Sequence, residues 1–465
     1  MALNKYKTLY CFLLIIALGL LTYSEPKISY SGDFGDLHKE KLLYENISDY
    51  FFNALSYNRT RHFNPGDTFL FRPVMTGFLA FCNIELLSQP LLQVYLAIIA
   101  HILCTCLIFN ILRFYFPLFI SLVLGLCYLF QISATTMLYN IHFNGYLLAN
   151  LFILLGYHVL ILVKKAPLKY FIATFLFFIA GCTHESIFLG LLLMALFFSK
   201  ETKPLIPSSY LISINAIYFV VNLFSYLFYY STYSSKRVLF SLNMISDFMS
   251  APFYLIGMQV SGLLLGSTRS FTRTAGYILF IPVGIFICYA LIKFIKKITP
   301  VLKNNEKSLF LFSVAMLVAY LLPIWFLRGT FRGLAYLHRA VWDDYLLSPY
   351  WIFIAAIVSK EVFNFRRATI LARVILLFWI LQNMITNWWH QKYYEALLAK
   401  GVQKIYDNLP SGYCYQATQN DGLGEYFENS PSILEELSCQ KRGGKKVFFK
   451  VTPLRDVIAS ETSLL

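Results

Sequence analysis

The feature that most constrains this chain is the recurrence of long apolar runs. The first is Tyr10–Leu21, and others occupy about 91–112, 116–130, 143–163, 168–182, 186–198, 208–230, 275–292, 308–327, 345–359 and 369–387. A helix needs about 20 apolar residues to cross a bilayer core about 30 Å thick. Several runs are shorter than that, which a packed bundle tolerates by tilting or thinning the lipid around it. With 58% of 465 residues apolar, the chain holds enough apolar material for about ten or more spans. Charged residues make up 14%, against about 25% in soluble domains. A soluble enzyme, a disordered chain and a secreted disulfide scaffold are thereby excluded. The expected fold is an all-α polytopic membrane protein of about 11 transmembrane helices.

Charge placement orients the spans. The net charge of +15 does not point to nucleic acid, because basic loops on one side are what an oriented polytopic protein requires. Lys5 and Lys7 precede the first run, and no small-residue cleavage site follows it, so it reads as an uncleaved signal-anchor. With the N-terminus inside, the short inner loops and that terminus together carry sixteen basic residues, including Arg113, Lys164, Lys165, Lys293, Lys296, Lys297, Lys360, Arg366 and Arg367. The outer loops at 131–142 and 183–186 carry none, and 328–344 carries three. This count leaves out 239–266, an apolar stretch interrupted by Asp247, Pro252 and Gln259. A full crossing there would turn the Lys293–Lys307 cluster outward, so the stretch is expected to be re-entrant or to lie along the outer face.

The expected domains are a transmembrane unit over 1–390, with a first outer loop at about 23–72, and a small soluble outer tail over 391–465. Pro73–Ser88 reads as a short interfacial helix. The tail contains strand-like Lys446–Val451, and its Cys414 and Cys439 either pair in an oxidising compartment or stay as two thiols. The nine cysteines show no CxxC or zinc spacing.

Ionisable groups in or near lipid are costly and tend to be paired or functional. In this topology they converge on the outer ends of the spans. Asp33 and Asp36 follow the first span, Arg72 ends the first outer loop, and His142 opens a later span. His184 and Glu185 separate two half-length runs, and Arg332, Arg339 and Asp343 share one outer loop. His101 lies within a span. Carboxylates, imidazoles and guanidiniums around one outward chamber suit an anionic, lipid-linked substrate, since Arg pairs with phosphate and a carboxylate can take a proton from an acceptor hydroxyl. Each has a plainer reading. Asp33 and Asp36 occur in Ser-Gly-Asp-Phe-Gly-Asp, a turn composition. Arg72 before Pro73 suits an interfacial anchor, and Thr183–Ser186 suits a helix-capping turn. His101 suits a helix–helix hydrogen bond, and the Arg and Asp residues of 328–344 suit a surface ion-pair set.

The ordered set resembles the GT-C superfamily of polytopic glycosyltransferases, nearest to transmembrane O-mannosyltransferases and bacterial polyprenyl-phosphate-sugar-dependent transferases. It consists of acids after the first span, then Phe71-Arg72-Pro73-Val74, a span with His101 and Asn110, Thr183-His184-Glu185-Ser186 between half-runs, and Asp344-Tyr345-Leu346-Leu347-Ser348-Pro349. The resemblance runs over about 1–390. His184 stands where that family commonly has Lys, Asp343-Asp344 where it has Glu-Arg, and the repeat tail of the O-mannosyltransferases is absent. The resemblance implies a polyprenyl-phosphate-linked sugar donor and a glycan or protein acceptor on the extracytoplasmic face of a bacterial inner membrane, the C-terminus being periplasmic. It implies Asp33 as catalytic base with Asp36 second. Arg72, His142, His184, Glu185, Arg332, Arg339 and Asp343 would line the substrate. Some relatives use a divalent metal, although no ligand set here demands one.

Two other functions fit such a chain. An O-antigen-type polysaccharide polymerase relies on outer-loop arginines rather than on an acid after the first span. A lipid-linked saccharide flippase or transporter should show internal pseudo-symmetry, and none is visible. The sequence Arg332-Gly333-Leu334-Ala335 through His338 resembles a membrane acyltransferase signature but occurs late in the chain.

Overall fold

The computed structural model describes residues 2–24, 90–139, 144–199, 205–229, 242–265, 273–298, 304–325, 341–362, 413–416 and 445–448, with single positions between them. These form twelve helices and two short strands. The helices are α1 Ala2–Thr22, α2 Pro90–Tyr115, α3 Leu118–Leu129, α4 Ile132–Tyr139, α5 Asn144–Leu162 and α6 Ala166–Thr183. They continue with α7 Ser186–Phe198, α8 Ser208–Tyr229, α9 Leu242–Leu265, α10 Arg273–Ile298, α11 Asn304–Pro323 and α12 Val341–Val362. Prolines punctuate several starts: Pro117 precedes α3, Pro167 sits in the first turn of α6, and the Pro207 carbonyl accepts the Tyr210 amide as α8 begins.

Two helices, Leu92–Tyr115 and Ala166–Thr183, are long and apolar enough to cross a membrane by themselves. Shorter apolar helices surround them, including Leu118–Leu129, Ser186–Phe198 and Tyr345–Val358. The outer surface is apolar where a soluble bundle would be charged: Leu13, Leu103, Phe171, Phe175, Leu196, Phe219 and Phe286 are all exposed.

Inside, one continuous core joins α2, α3, α5, α6, α7, α11 and α12. Its seams are aromatic. Tyr157 stacks on Phe312 with centroids 4.4 Å apart, and Phe188 stacks on Tyr218 at 3.8 Å. The contacts also fix which helix ends lie together. Tyr23, just past α1, reaches Leu129 at the end of α3, and His101 of α2 reaches Tyr345 near the start of α12. His184, between α6 and α7, packs on Tyr146 near the start of α5 and on Tyr320 near the end of α11. This is the histidine end. At the opposite, lysine end, Lys360 late in α12 pairs with Glu306 early in α11. There too Ser208 at the start of α8 donates to the Ala195 carbonyl late in α7.

One expectation changes: the 131–142 stretch is not a plain loop but contains α4, with Ala134, Met137 and Leu138 fully buried. The stretch at 239–266, interrupted in sequence by polar residues and a proline, contains an unbroken helix, α9. Two of the interrupting residues are accommodated by bonds to other helices or their ends. Pro252 has no N–H to give the Phe248 carbonyl four residues back, and the Trp325 indole donates to that carbonyl instead at 2.7 Å. Gln259 accepts from the Trp351 indole at 3.0 Å. Helices α9 and α10 lie antiparallel in near backbone contact: a Cβ on Gly257 would sit 1.8 Å from the Phe280 carbonyl oxygen, and one on Gly284 1.8 Å from that of Phe253.

In the tail, β1 (Tyr413–Gln416) pairs in parallel with β2 (Lys445–Phe448). The second strand overlaps the strand-like segment Lys446–Val451 read from the sequence.

Candidate functional site

The site residues expected from the sequence divide by where they fall. Asp33, Asp36, Arg72, His142, Arg332 and Arg339 lie outside the described residues. The backbone of Asp343 is in the first turn of α12, two residues before Tyr345, and its side chain is outside the description. His184 and Glu185 are described fully.

His184 ends α6 in an extended conformation, φ −145° and ψ 111°, with its amide on the Ala180 carbonyl at 2.9 Å. Its ring is buried against Tyr146 and Tyr320, with centroid separations of 5.5 and 5.1 Å. Glu185 then turns the chain into α7, and its carbonyl accepts the Phe188 amide at 3.0 Å. The capping reading of this turn fails in its side chains. Thr183 Oγ1 donates backward to the Ile179 carbonyl at 2.9 Å, and Glu185 makes no side-chain cap to α7. Glu185 is half-buried, so its carboxylate is held at the rim of the packed end without serving the helix start.

Beside it lies a second arrangement that the sequence announced only in part. His101 is fully buried. Its Nε2 lies 3.1 Å from the Leu129 carbonyl oxygen and its Nδ1 lies 2.8 Å from the Tyr345 hydroxyl. A carbonyl only accepts, so Nε2 carries the proton and Nδ1 accepts from Tyr345. The Tyr23 hydroxyl donates to the same Leu129 oxygen at 2.7 Å. That carbonyl is in the last turn of α3, where helical acceptors have no partner in their own helix, and its two lone pairs take two donors. Tyr128 packs beside them, its ring centroid 5.0 Å from that of His101 and 5.5 Å from that of Tyr345.

Tyr345 is held a second time through its backbone. Pro349 lacks the N–H that would bond the Tyr345 carbonyl, and Ser348 Oγ and Asn150 Nδ2 donate to it instead, at 2.8 and 3.4 Å. The plainer reading of His101, as a helix–helix hydrogen-bond residue, therefore holds. Tyr23, Asn150 and Ser348 were missed in the sequence. The available signal was Pro349 itself, which marks the carbonyl four residues earlier as open to another helix.

The described part of this end is an array of neutral donors and acceptors with one half-buried carboxylate. It can orient a polar ligand and accept a proton at Glu185. Among the described residues no group of three or more His, Cys, Asp or Glu side chains gathers as a metal site would.

No protein-family model matches the chain, and no curated protein matches it. Among solved structures it is similar to the apo-state crystal structure of ArnT from Cupriavidus metallidurans. The likeness covers 98% of this chain and 91% of that one, at 11% identity and a TM-score of 0.30. At that distance it assigns no role to any residue of this chain.

Proposed function

We propose that the protein is an integral membrane glycosyltransferase of the GT-C type. It moves a sugar from a polyprenyl-phosphate carrier to a glycan or protein acceptor at the histidine end of the bundle. The observation that carries this reading is the pairing of an apolar exterior with a polar end. Leu103, Phe171 and Phe219 face outward, while Tyr23, His101, Tyr345, Tyr146 and His184 converge inside, with Glu185 at their rim. A prenyl chain can lie against such an exterior while its phosphate and sugar enter the polar end.

In this reading Asp33 takes the proton of the acceptor hydroxyl as that oxygen attacks the anomeric carbon. The bond from that carbon to the carrier phosphate breaks, the configuration inverts, and the polyprenyl phosphate leaves with the bonding pair. Arg72 and an arginine of the 328–339 loop, Arg332 or Arg339, stabilise the departing phosphate. Asp36 supports Asp33, and His142, His184, Glu185 and Asp343 line the sugar and acceptor. The transmembrane unit is 1–390, with the N-terminus cytoplasmic, and the 391–465 tail sits on the acceptor side.

The test is transfer of labelled sugar from polyprenyl phosphate in membranes containing the full chain. Asp33→Asn should abolish transfer, and Arg72→Ala and Glu185→Gln should each reduce it about 100-fold with insertion unchanged. Full activity of Asp33→Asn would replace this reading with a polymerase that works through outer-loop arginines.

A further inference from the structure

The geometry points to a positioning role for the His101–Tyr345 node: it sets the start of α12, and with it Asp343, relative to the point where α1 ends and the first loop begins. The inference rests on the glycosyltransferase reading for its consequence in catalysis, and on distances alone for its mechanics.

Tyr345 is clamped at both of its polar groups by different helices. Its hydroxyl donates to His101 of α2 at 2.8 Å, and its carbonyl accepts from Asn150 of α5 at 3.4 Å. A helix residue ordinarily spends its carbonyl on its own helix. Tyr345 has no backbone amide of α12 to take its carbonyl, because Pro349 lacks the N–H, so Ser348 of the same helix and Asn150 of α5 share it. Asp343 is two residues away in the same helical start, so a shift of Tyr345 moves its backbone as a unit.

The other arm of the node begins at His101 Nε2. It meets the Leu129 carbonyl, which also holds Tyr23, the residue from which the loop carrying Asp33 and Asp36 departs. Helix α1 can come close enough because Gly19, one turn before Tyr23, has no side chain: a Cβ there would stand 2.7 Å from Ile102. Three chain segments far apart in sequence thus share one neutral hydrogen-bonded network. Tyr23, His101 and Tyr345 are each at most 1% exposed. A network of this kind has one low-energy arrangement, since losing any member leaves a buried partner without its bond. None of its side chains needs to touch the sugar.

The experiment uses the full-length protein in lipid nanodiscs with genetically encoded spin-label residues at Ser24 and Val341. The wild type should give one narrow inter-label distance. His101→Phe and Tyr345→Phe should each broaden it, and His101→Gln, which keeps a donor and an acceptor, should narrow it again. In the transfer assay the two Phe variants should lose about 10- to 100-fold in kcat with the donor KM changed less than about two-fold. A distance distribution unchanged in both Phe variants overturns the inference, and so does a broadened one with unchanged kcat. A wild type that transfers no sugar while its label distances respond as described keeps the node and removes the glycosyltransferase reading.

Discussion

The two ends of the bundle are tied by opposite chemistry. At the histidine end, Tyr23, His101, Tyr345, Asn150 and Ser348 are buried, neutral and joined by directional hydrogen bonds across five helices or their ends. At the lysine end, α11 and α12 are joined by an ion pair in which Glu306 is buried but Lys360 is 36% exposed. The flanking bonds there are single: Asn110 to His158 at 3.3 Å, and Tyr115 to Tyr157 also at 3.3 Å. A neutral network in a dry core is fixed by geometry and indifferent to salt. An ion pair with one wet partner adapts its geometry and is screened. The difference teaches where the bundle can give. The histidine end is built to hold one arrangement, and the lysine end is built to hold position while facing water and basic loops.

The largest effect expected is at the histidine end. His101→Phe removes two bonds and strands the Tyr345 hydroxyl, so it should cost about 2–4 kcal/mol, read as lowered thermal stability in detergent. A loss as small as that of a lysine-end substitution would break the contrast. Next comes Lys360→Met, which leaves Glu306 without its cation. It should cost about 1–3 kcal/mol, discounted from a fully buried pair because Lys360 is partly in solvent. Glu306→Gln should cost less, because a lone Lys360 can extend into water. Raising salt should bring the wild type toward Glu306→Gln and leave the gap to His101→Phe unchanged, which a melting series at two ionic strengths would check. The smallest effect is Asn110→Leu, at about 1 kcal/mol or less. A cost equal to that of His101→Phe would show that the lysine end carries a network of its own.

Much of the fold was legible because the signals are local. Apolar runs of helical length mark the helices. The reading stayed open where polar residues interrupt a run. Asp247, Pro252 and Gln259 left the character of 239–266 ambiguous, and α9 runs through it with Trp325 and Trp351, from elsewhere in the chain, bonding the Phe248 carbonyl and the Gln259 side chain. The 131–142 stretch lacks charge and read as an outer turn, but α4 is buried there. Of the expected site residues, the structure brings His184 and Glu185 to the histidine end together with the start of α12, where Asp343 lies.

What the sequence determined by itself is the helical class and the positions of most helices, since hydrophobic period acts over neighbouring residues. It also marked, through Pro349, that the Tyr345 carbonyl would lie open. Only the tertiary structure decided which groups take up the freed bonds. Tyr23 meets Leu129 across 106 residues, Asn150 meets Tyr345 across 195, and His101 meets Tyr345 across 244. A hydrogen bond depends on distance and direction in space, and no local pattern encodes either across separations of that size.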